Sequence, residues 1–207
     1  MTAVLGHSPR RSNARSNRTR ILATARQQLL DHPDASLDSI AQAAGVVRRT
    51  LYGHFSNRQA LVAALTQEAG QALQQALTAA RMPGDDPLEA MARMALAAWA
   101  VGDHYRMLVS LESRHPEEES IRAALAPARE EAGATLQRGQ DEGVFADHVP
   151  APVLAPALEA LMLALAEANA AATWADPRGE AATIELLAAA GVAPRVAALR
   201  VRDVLRR

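Results

Sequence analysis

The sequence predicts an all-α fold in two parts, a small N-terminal head of three helices and a larger helical core that follows it. Three observations predict this. Alternating β-branched runs do not occur, whereas apolar residues recur at helical spacing along most of the 207 residues. The breaks between periodic stretches carry Pro, Gly, Asp or Ser, which end or start helices. Charge is also divided: residues 1–58 hold nine Arg against three Asp, a net +6, and residues 59–207 hold thirteen Arg against twenty acidic residues, a net −7. A basic end on an acidic body suggests a polyanionic partner for one part only.

Residues 1–17 read as a disordered basic arm without the apolar stretch of a secretory signal. The head spans 18–58. Its first helix runs from about Arg18 to Leu30, with Ile21, Leu22, Ala25 and Leu29 on one face, and DHPDAS ends it. Ser36 is the expected N-cap of a second short helix carrying Leu37, Ile40, Ala41 and Ala44. Gly45 closes that helix, and a third covers about Val47 to His54. Ser56 or Asn57 caps a long fourth helix, Arg58 to Ala80, with Leu61, Leu65, Leu73 and Leu77 facing inward.

The core spans 59–207. RMPGDDP is the clearest break in it, and helices are expected near 87–101, 103–114, 117–142, 152–173 and 179–190, with a short basic helix in the tail 191–207. Pro127 predicts a kink or a late start in the helix near 117–142.

Composition and motifs narrow the function. There is no cysteine, which excludes disulfides and thiolate metal sites and fits a cytoplasmic protein. The most apolar stretch, Val153 to Ala172, is interrupted by Glu159 and Glu167, so no membrane span is expected. Glu112 and His115 have the spacing of half a carboxylate-bridged dimetal site, but no second Glu-x-x-His supplies the other half. His-Glu-x-x-His, phosphate-cradling glycine loops and nucleophile elbows do not occur. No enzymatic activity, catalytic residue, metal or cofactor is therefore expected.

Leu37 to Ser56 has the pattern of a helix-turn-helix. Ala41 is small where two helices cross, Gly45 supplies the turn four residues later, and Leu51 packs the second helix back onto the first. Such a unit lays its second helix in the major groove of DNA, where residues near its N-terminus reach base edges. Arg48, Arg49 and Thr50 occupy that place. Arginine bonds bidentately to guanine O6 and N7, and threonine contacts a phosphate or a thymine methyl. Tyr52, His54 and Arg58 offer polar or charged tips to the phosphate backbone.

The run RILATARQQLLDHPDASLDSIAQAAGVVRRTLYGHFSNRQALVAAL resembles the N-terminal DNA-binding region of the tetracycline-repressor (TetR) family, through SIAQAAGV, TLYGHF and NRQAL together. The resemblance covers about Arg20 to Leu65. It implies a homodimeric transcriptional regulator, usually a repressor, released from a palindromic operator by a small molecule. On the matching positions it implies DNA contacts from Arg48, Arg49, Thr50, Tyr52, His54 and Arg58, with Ser36 near a phosphate. Two residues depart from the family's pattern: Val47 stands where a helix-capping hydroxyl residue is common, and Gly53 where a larger side chain is common. The alternative is a small-molecule-binding or scaffold protein of the same fold that no longer binds a specific operator.

For the core, the resemblance implies a dimer interface built from the last two long helices. Leu154, Leu158, Leu161, Leu165, Ile184 and Leu187 form its candidate stripe. Methionine and aromatic residues gather in AMARMALAAWAVGDHYRMLVSLESRH, and Trp99, His104, Tyr105 and Met107 are the candidate ligand contacts.

Overall fold

The computed structural model describes residues 9–84, 86–115 and 119–207, with the side chains there except those of residues 9–14, 103, 105 and 113. Among the described residues there are ten helices and no strand. Contacts divide the chain into two compact units, the first ending at Glu68 and the second beginning at Ala69. The division lies inside the fourth helix, ten residues beyond the expected boundary at Arg58. The reason is local. Arg58 donates to the backbone carbonyls of Ala35 and Pro33, Leu61 and Leu65 are buried, and Arg26 lies 4.0 Å from Glu68. The first turns of that helix therefore belong to the head.

The first unit contains α1 (Pro9–Asp31), α2 (Leu37–Ala43), α3 (Arg48–His54) and the start of α4 (Arg58–Ala80). α1 begins nine residues before the expected start at Arg18, so residues 9–17 of the supposed disordered arm are helical, while residues 1–8 lie outside the described residues. The composition accounts for this: Pro is favoured at the first helical position, and Arg and Ala propagate a helix well. Ser36 caps α2 by accepting from Ser39 N at 3.1 Å. Asn57, not Ser56, caps α4, accepting from Ala60 N at 2.8 Å.

Ile21, Ala25, Leu29, Ile40, Ala41, Leu51, Leu61 and Leu65 are almost fully buried and form the centre of this unit. Gly45 ends α2 at φ +62°, a conformation that costs glycine little, and the chain turns there so that Val46 N reaches Ala41 O at 3.0 Å.

The second unit contains the rest of α4, then α5 (Pro87–Ala100), α6 (Gly102–Arg114), α7 (Glu119–Asp141), α8 (Ala151–Ala170), α9 (Glu180–Ala189) and α10 (Pro194–Arg206). α7 runs as one helix through Pro127, which leaves out the late start, one of the two outcomes the proline predicts. The core of this unit gathers Leu88, Met91, Leu136, Phe145, Leu158, Met162, Leu186, Leu187 and Val201 from five helices and one loop.

The basic tail is a full helix held by more than burial. Asp86 caps α5, and Glu89 in its first turn, 7 % exposed, accepts from Arg93, from Arg200 at 2.9 Å and from Arg207 at 2.9 Å. Burial pushes the Glu89 carboxyl up, but the bond from Arg93 and the charges of Arg207 and Arg200 outweigh it and hold the group below its ordinary value.

α9 starts under Asp176, a buried carboxylate that accepts from Glu180 N and Ala182 N, both at 2.9 Å. The Asp176 carbonyl accepts from Trp99 Nε1 at 3.0 Å. Gly179 stands against the Trp99 ring at φ +70°, where a Cβ would lie 2.5 Å from an indole carbon. Glycine is required there by both conformation and space.

Candidate DNA-binding surface and core cavity

In the head, α3 is a seven-residue helix whose Leu51 is buried and whose other face is open. Leu51 and Phe55 anchor it, and Arg18 of α1 lies 5.5 Å from the Phe55 ring centre, a cation–π contact that braces its C-terminal end. This leaves Arg48, Arg49 and Tyr52 exposed, with Thr50 and His54 half-buried. Arg49 makes no ion pair or hydrogen bond with another described residue. Arg48 is paired with Asp38 of α2, yet its side chain remains 71 % exposed. That pair orients the guanidinium across the helix-turn-helix and is a surface pair of small intrinsic worth, which a stronger acceptor can replace.

Two of the candidate DNA-contact residues have partners inside the head. Arg58, assigned to the phosphate backbone, is half-buried and turned inward, its guanidinium engaged by the Ala35 and Pro33 carbonyls. The loop between α1 and α2 presents both carbonyls to the start of α4, and a forked guanidinium answers the two at once. Ser36 is exposed, but its hydroxyl is engaged in capping α2. Val47, at the N-cap of α3, makes no side-chain capping bond and is 70 % exposed. An exposed valine beside two arginines offers a methyl surface rather than a cap.

In the second unit, a cavity of about 580 Å³ is walled by α4, α5, α7 and α8, with Leu186 of α9. Leu73, Leu77, Met91, Met94, Leu125, Leu136, Leu158 and Met162 are among its apolar lining residues, and Arg129, Glu130 and Glu159 are its charged lining residues among those described. The volume lies in the range that takes drug-sized molecules, about 300–1,000 Å³.

Arg129 organises the polar wall. Its Nη1 and Nη2 donate to Glu112 of α6 at 2.9 and 2.7 Å, and its Nε and Nη2 donate to Glu159 of α8 at 2.8 and 3.0 Å. The hydrogen bond from Arg129 holds the Glu112 carboxyl below its ordinary value against the opposing effect of burial. The bonds to Glu112, and then to Glu159, raise the Arg129 guanidinium above its own. One guanidinium thus ties three helices together beside the cavity.

Of the candidate ligand residues, Trp99, His104 and Met107 are not among those that line this cavity. Trp99 meets Trp174 edge-on, ring centres 6.1 Å apart, and donates to Asp176, so it closes the start of α9. Met107 is 1 % exposed and outside the lining. His104 is half-buried away from the lining, and the side chain of Tyr105 lies outside the described residues. Of the methionines in that segment, Met91 and Met94 do reach the cavity. Arg129 and Glu159 are not singled out by the sequence reading. The available signal is Glu159 itself, a carboxylate in the middle of an otherwise apolar helix.

The candidate interface stripe is also corrected. Leu187 is fully buried and Leu158 is 5 % exposed, both in the chain's own core, so neither is available to a second subunit. Leu154, Leu165 and Ile184 pack partly against that core, and Leu161 is half-buried. Helical spacing identifies the face with large side chains, and the chain's own core takes Leu158 and Leu187 from it. The outward face of α8 instead carries Val153, Ala157, Ala160 and Ala164, all exposed. By length and composition α8 is apolar enough to cross a membrane, with 17 % of its most apolar window buried.

No curated protein matches the chain in sequence. Solved structures resemble it over most of its length. The TetR-like regulator LfrR of Mycobacterium smegmatis, solved in complex with proflavine, is 24 % identical with a TM-score of 0.65, over 85 % of this chain and 96 % of that one. A gamma-butyrolactone receptor (ArpA-like protein) is 15 % identical with a TM-score of 0.74, over 94 % and 98 %. PfmR of Thermus thermophilus, a TetR family regulator, is 22 % identical with a TM-score of 0.60, over 90 % and 97 %. At such identities these likenesses establish the all-helical fold. The family described as bacterial regulatory proteins, tetR family, matches residues 21–65. That match falls on the helices that build and present the arginine pair, so residues 21–65 are similar to this family.

Proposed function

We propose that the protein is a ligand-responsive repressor that binds a palindromic operator as a homodimer in the bacterial cytoplasm and leaves it when a small molecule occupies the core cavity. The observation that carries the DNA half is the exposed α3 face, where Arg48, Arg49, Thr50 and Val47 crowd the end that a helix-turn-helix presents to base edges. The cavity supports the ligand half, and two similar structures point the same way, one solved with proflavine and one a gamma-butyrolactone receptor.

Dimerisation is supported by the outward apolar face of α8. Its alanines at positions 157, 160 and 164 allow close approach of a second helix, and two-fold symmetry matches half-sites about 34 Å apart. α4 carries Leu61 and Leu65 of the head core and Leu73 and Leu77 of the cavity wall. A ligand that moves α4 changes the spacing of the two heads. Ligand and operator then weaken each other by one common factor.

The test is a mobility-shift titration on DNA from upstream of the protein's own gene, in a salt series, with Arg48→Ala/Arg49→Ala as control. A sequence-specific shift with a steep salt slope, lost in the variant, supports the reading. Binding without sequence preference that the variant leaves intact, or no binding to any DNA in a random-sequence selection, refutes it.

A further inference from the structure

Resting on the reading of α3 as a helix that enters the major groove, we infer that Asp38 is a specificity-determining residue: it holds the Arg48 guanidinium ready for a guanine in each operator half-site and discourages its use on phosphates. The pair joins the first turn of α2 to the first residue of α3, with Arg48 Nη2 donating to Asp38 Oδ2. Residues 1–58 hold nine arginines and three acids, so an acid set against the recognition helix works against the general attraction of the head for a polyanion.

Two features give the pair an orienting role. Oδ1 of Asp38 is buried and has no hydrogen-bond partner among the described residues, so the carboxylate cannot turn that oxygen to water, and Arg48 is the group that answers its charge. Arg48 in turn engages one of its five N–H donors on Asp38 and keeps its side chain 71 % exposed. Two neighbouring donors remain for guanine O6 and N7 while the bond to Asp38 is kept.

The carboxylate treats the two kinds of DNA acceptor differently. Guanine is neutral and is recognised by the direction of the donors, which Asp38 sets in advance. A phosphate is recognised by charge, and a guanidinium already paired with a carboxylate attracts it less. Arg49, adjacent on α3, has no ion pair with another described residue, so no carboxylate offsets its charge there.

The experiment uses the full chain. Random-sequence selection is run on the wild type and on Asp38→Asn, Asp38→Ala, Arg48→Ala and Arg49→Ala, followed by fluorescence anisotropy on the selected duplex and on a scrambled duplex of the same length in a salt series. The wild type is expected to select a guanine at one symmetric pair of positions, a preference that Arg48→Ala loses. Asp38→Asn should lower that preference about fivefold, the lower end of what a bidentate pair contributes. It should also raise affinity for the scrambled duplex about threefold and steepen the salt slope by roughly 1.8 for a dimer. Asp38→Ala, which removes the remaining acceptor, should do the same at least as strongly. Tighter binding to scrambled DNA is not what a damaged head produces, so a folding defect does not imitate the result. Both effects should vanish when Asp38→Asn is combined with Arg48→Ala and persist when it is combined with Arg49→Ala.

A guanine preference that Asp38→Asn leaves unchanged overturns the inference, as does scrambled-DNA affinity that does not rise, or an Asp38→Asn effect that persists without Arg48. If the wild type selects a sequence that Arg48→Ala does not alter, the inference fails while the regulator reading stands. If the wild type selects no sequence at all, the regulator reading fails and the inference with it.

Discussion

Arg58→Met separates two roles that the sequence could not distinguish, phosphate contact and clamp on the head. Methionine keeps the apolar stem and removes the charge and the donors. In the structure those donors reach the Ala35 and Pro33 carbonyls in the loop that joins α1 to α2. A hydrogen bond from a charged donor contributes about 1.5–3 kcal/mol net when it is well shielded. Arg58 is only half-buried, and water can reach the loop in its absence. The two bonds together are therefore worth about 2–3 kcal/mol rather than their full sum.

For a chain of this size that corresponds to a fall in melting temperature of about 4–12 °C. Circular dichroism melts of the wild type and the variant read it directly. The companion assay is fluorescence anisotropy on operator DNA over a salt series, well below the variant's melting point. A clamp leaves the slope of log K against log salt unchanged. Removing a phosphate-binding charge makes the slope shallower by about 0.9 per phosphate, or roughly 1.8 for a dimer. An unchanged melting temperature with a shallower slope would refute the clamp and restore the sequence assignment.

Three further outcomes follow from the same structure. Val47→Thr places a hydroxyl where α3 has no side-chain cap, and thermal melts should show a gain of about 0.5–1 kcal/mol; no gain would mean that the N-terminal amides of α3 are satisfied in another way. Leu187→Ala, deep in the core, should cost about 2–5 kcal/mol in urea unfolding, whereas Ala160→Arg on the outer face of α8 should yield a folded monomer in sedimentation, and the reverse pairing of effects would refute the assignment of faces. Glu89 has a folded-state pKa below its ordinary value of 4.5, so the stability it contributes is present above that value and is lost as pH falls through the folded-state pKa. Glu89→Gln should thus melt well below the wild type at pH 7, with the gap closing as pH falls below 4.5 and through the lowered folded-state pKa.

The head is legible in the sequence because its constraints are local. Ala41, Gly45 and Leu51 sit within eleven residues, and each is tied to its role by the crossing of two short helices and the positive φ at the turn. The caps at Ser36 and Asn57 lie three residues from the amides they satisfy. The sequence misplaces the start of α1 because a polar, arginine-rich stretch reads as solvated coil, although nothing in its backbone chemistry opposes a helix. In the core, periodicity reveals every long helix but not which of its apolar faces is inward, since the side chains that settle the question come from helices far away in the chain.

The arginines make the same point at the level of single residues. Every basic side chain in this protein apart from histidine is arginine, so residue type cannot sort them by role. Arg49 and Arg58 lie nine residues apart, in and just beyond the recognition helix, and both look like DNA contacts. What distinguishes them is the supply of acceptors. Arg49 has none among the described residues, whereas Arg58 has two carbonyls that lie 23 and 25 residues earlier. Arg129 extends the pattern, with partners 17 and 30 residues away on separate helices. A guanidinium that finds two acceptors inside the fold becomes a fastener, and one that finds none remains available to a polyanion. The selection among arginines left open to a polyanion is therefore made by the tertiary structure, through where it supplies carbonyls and carboxylates to answer them.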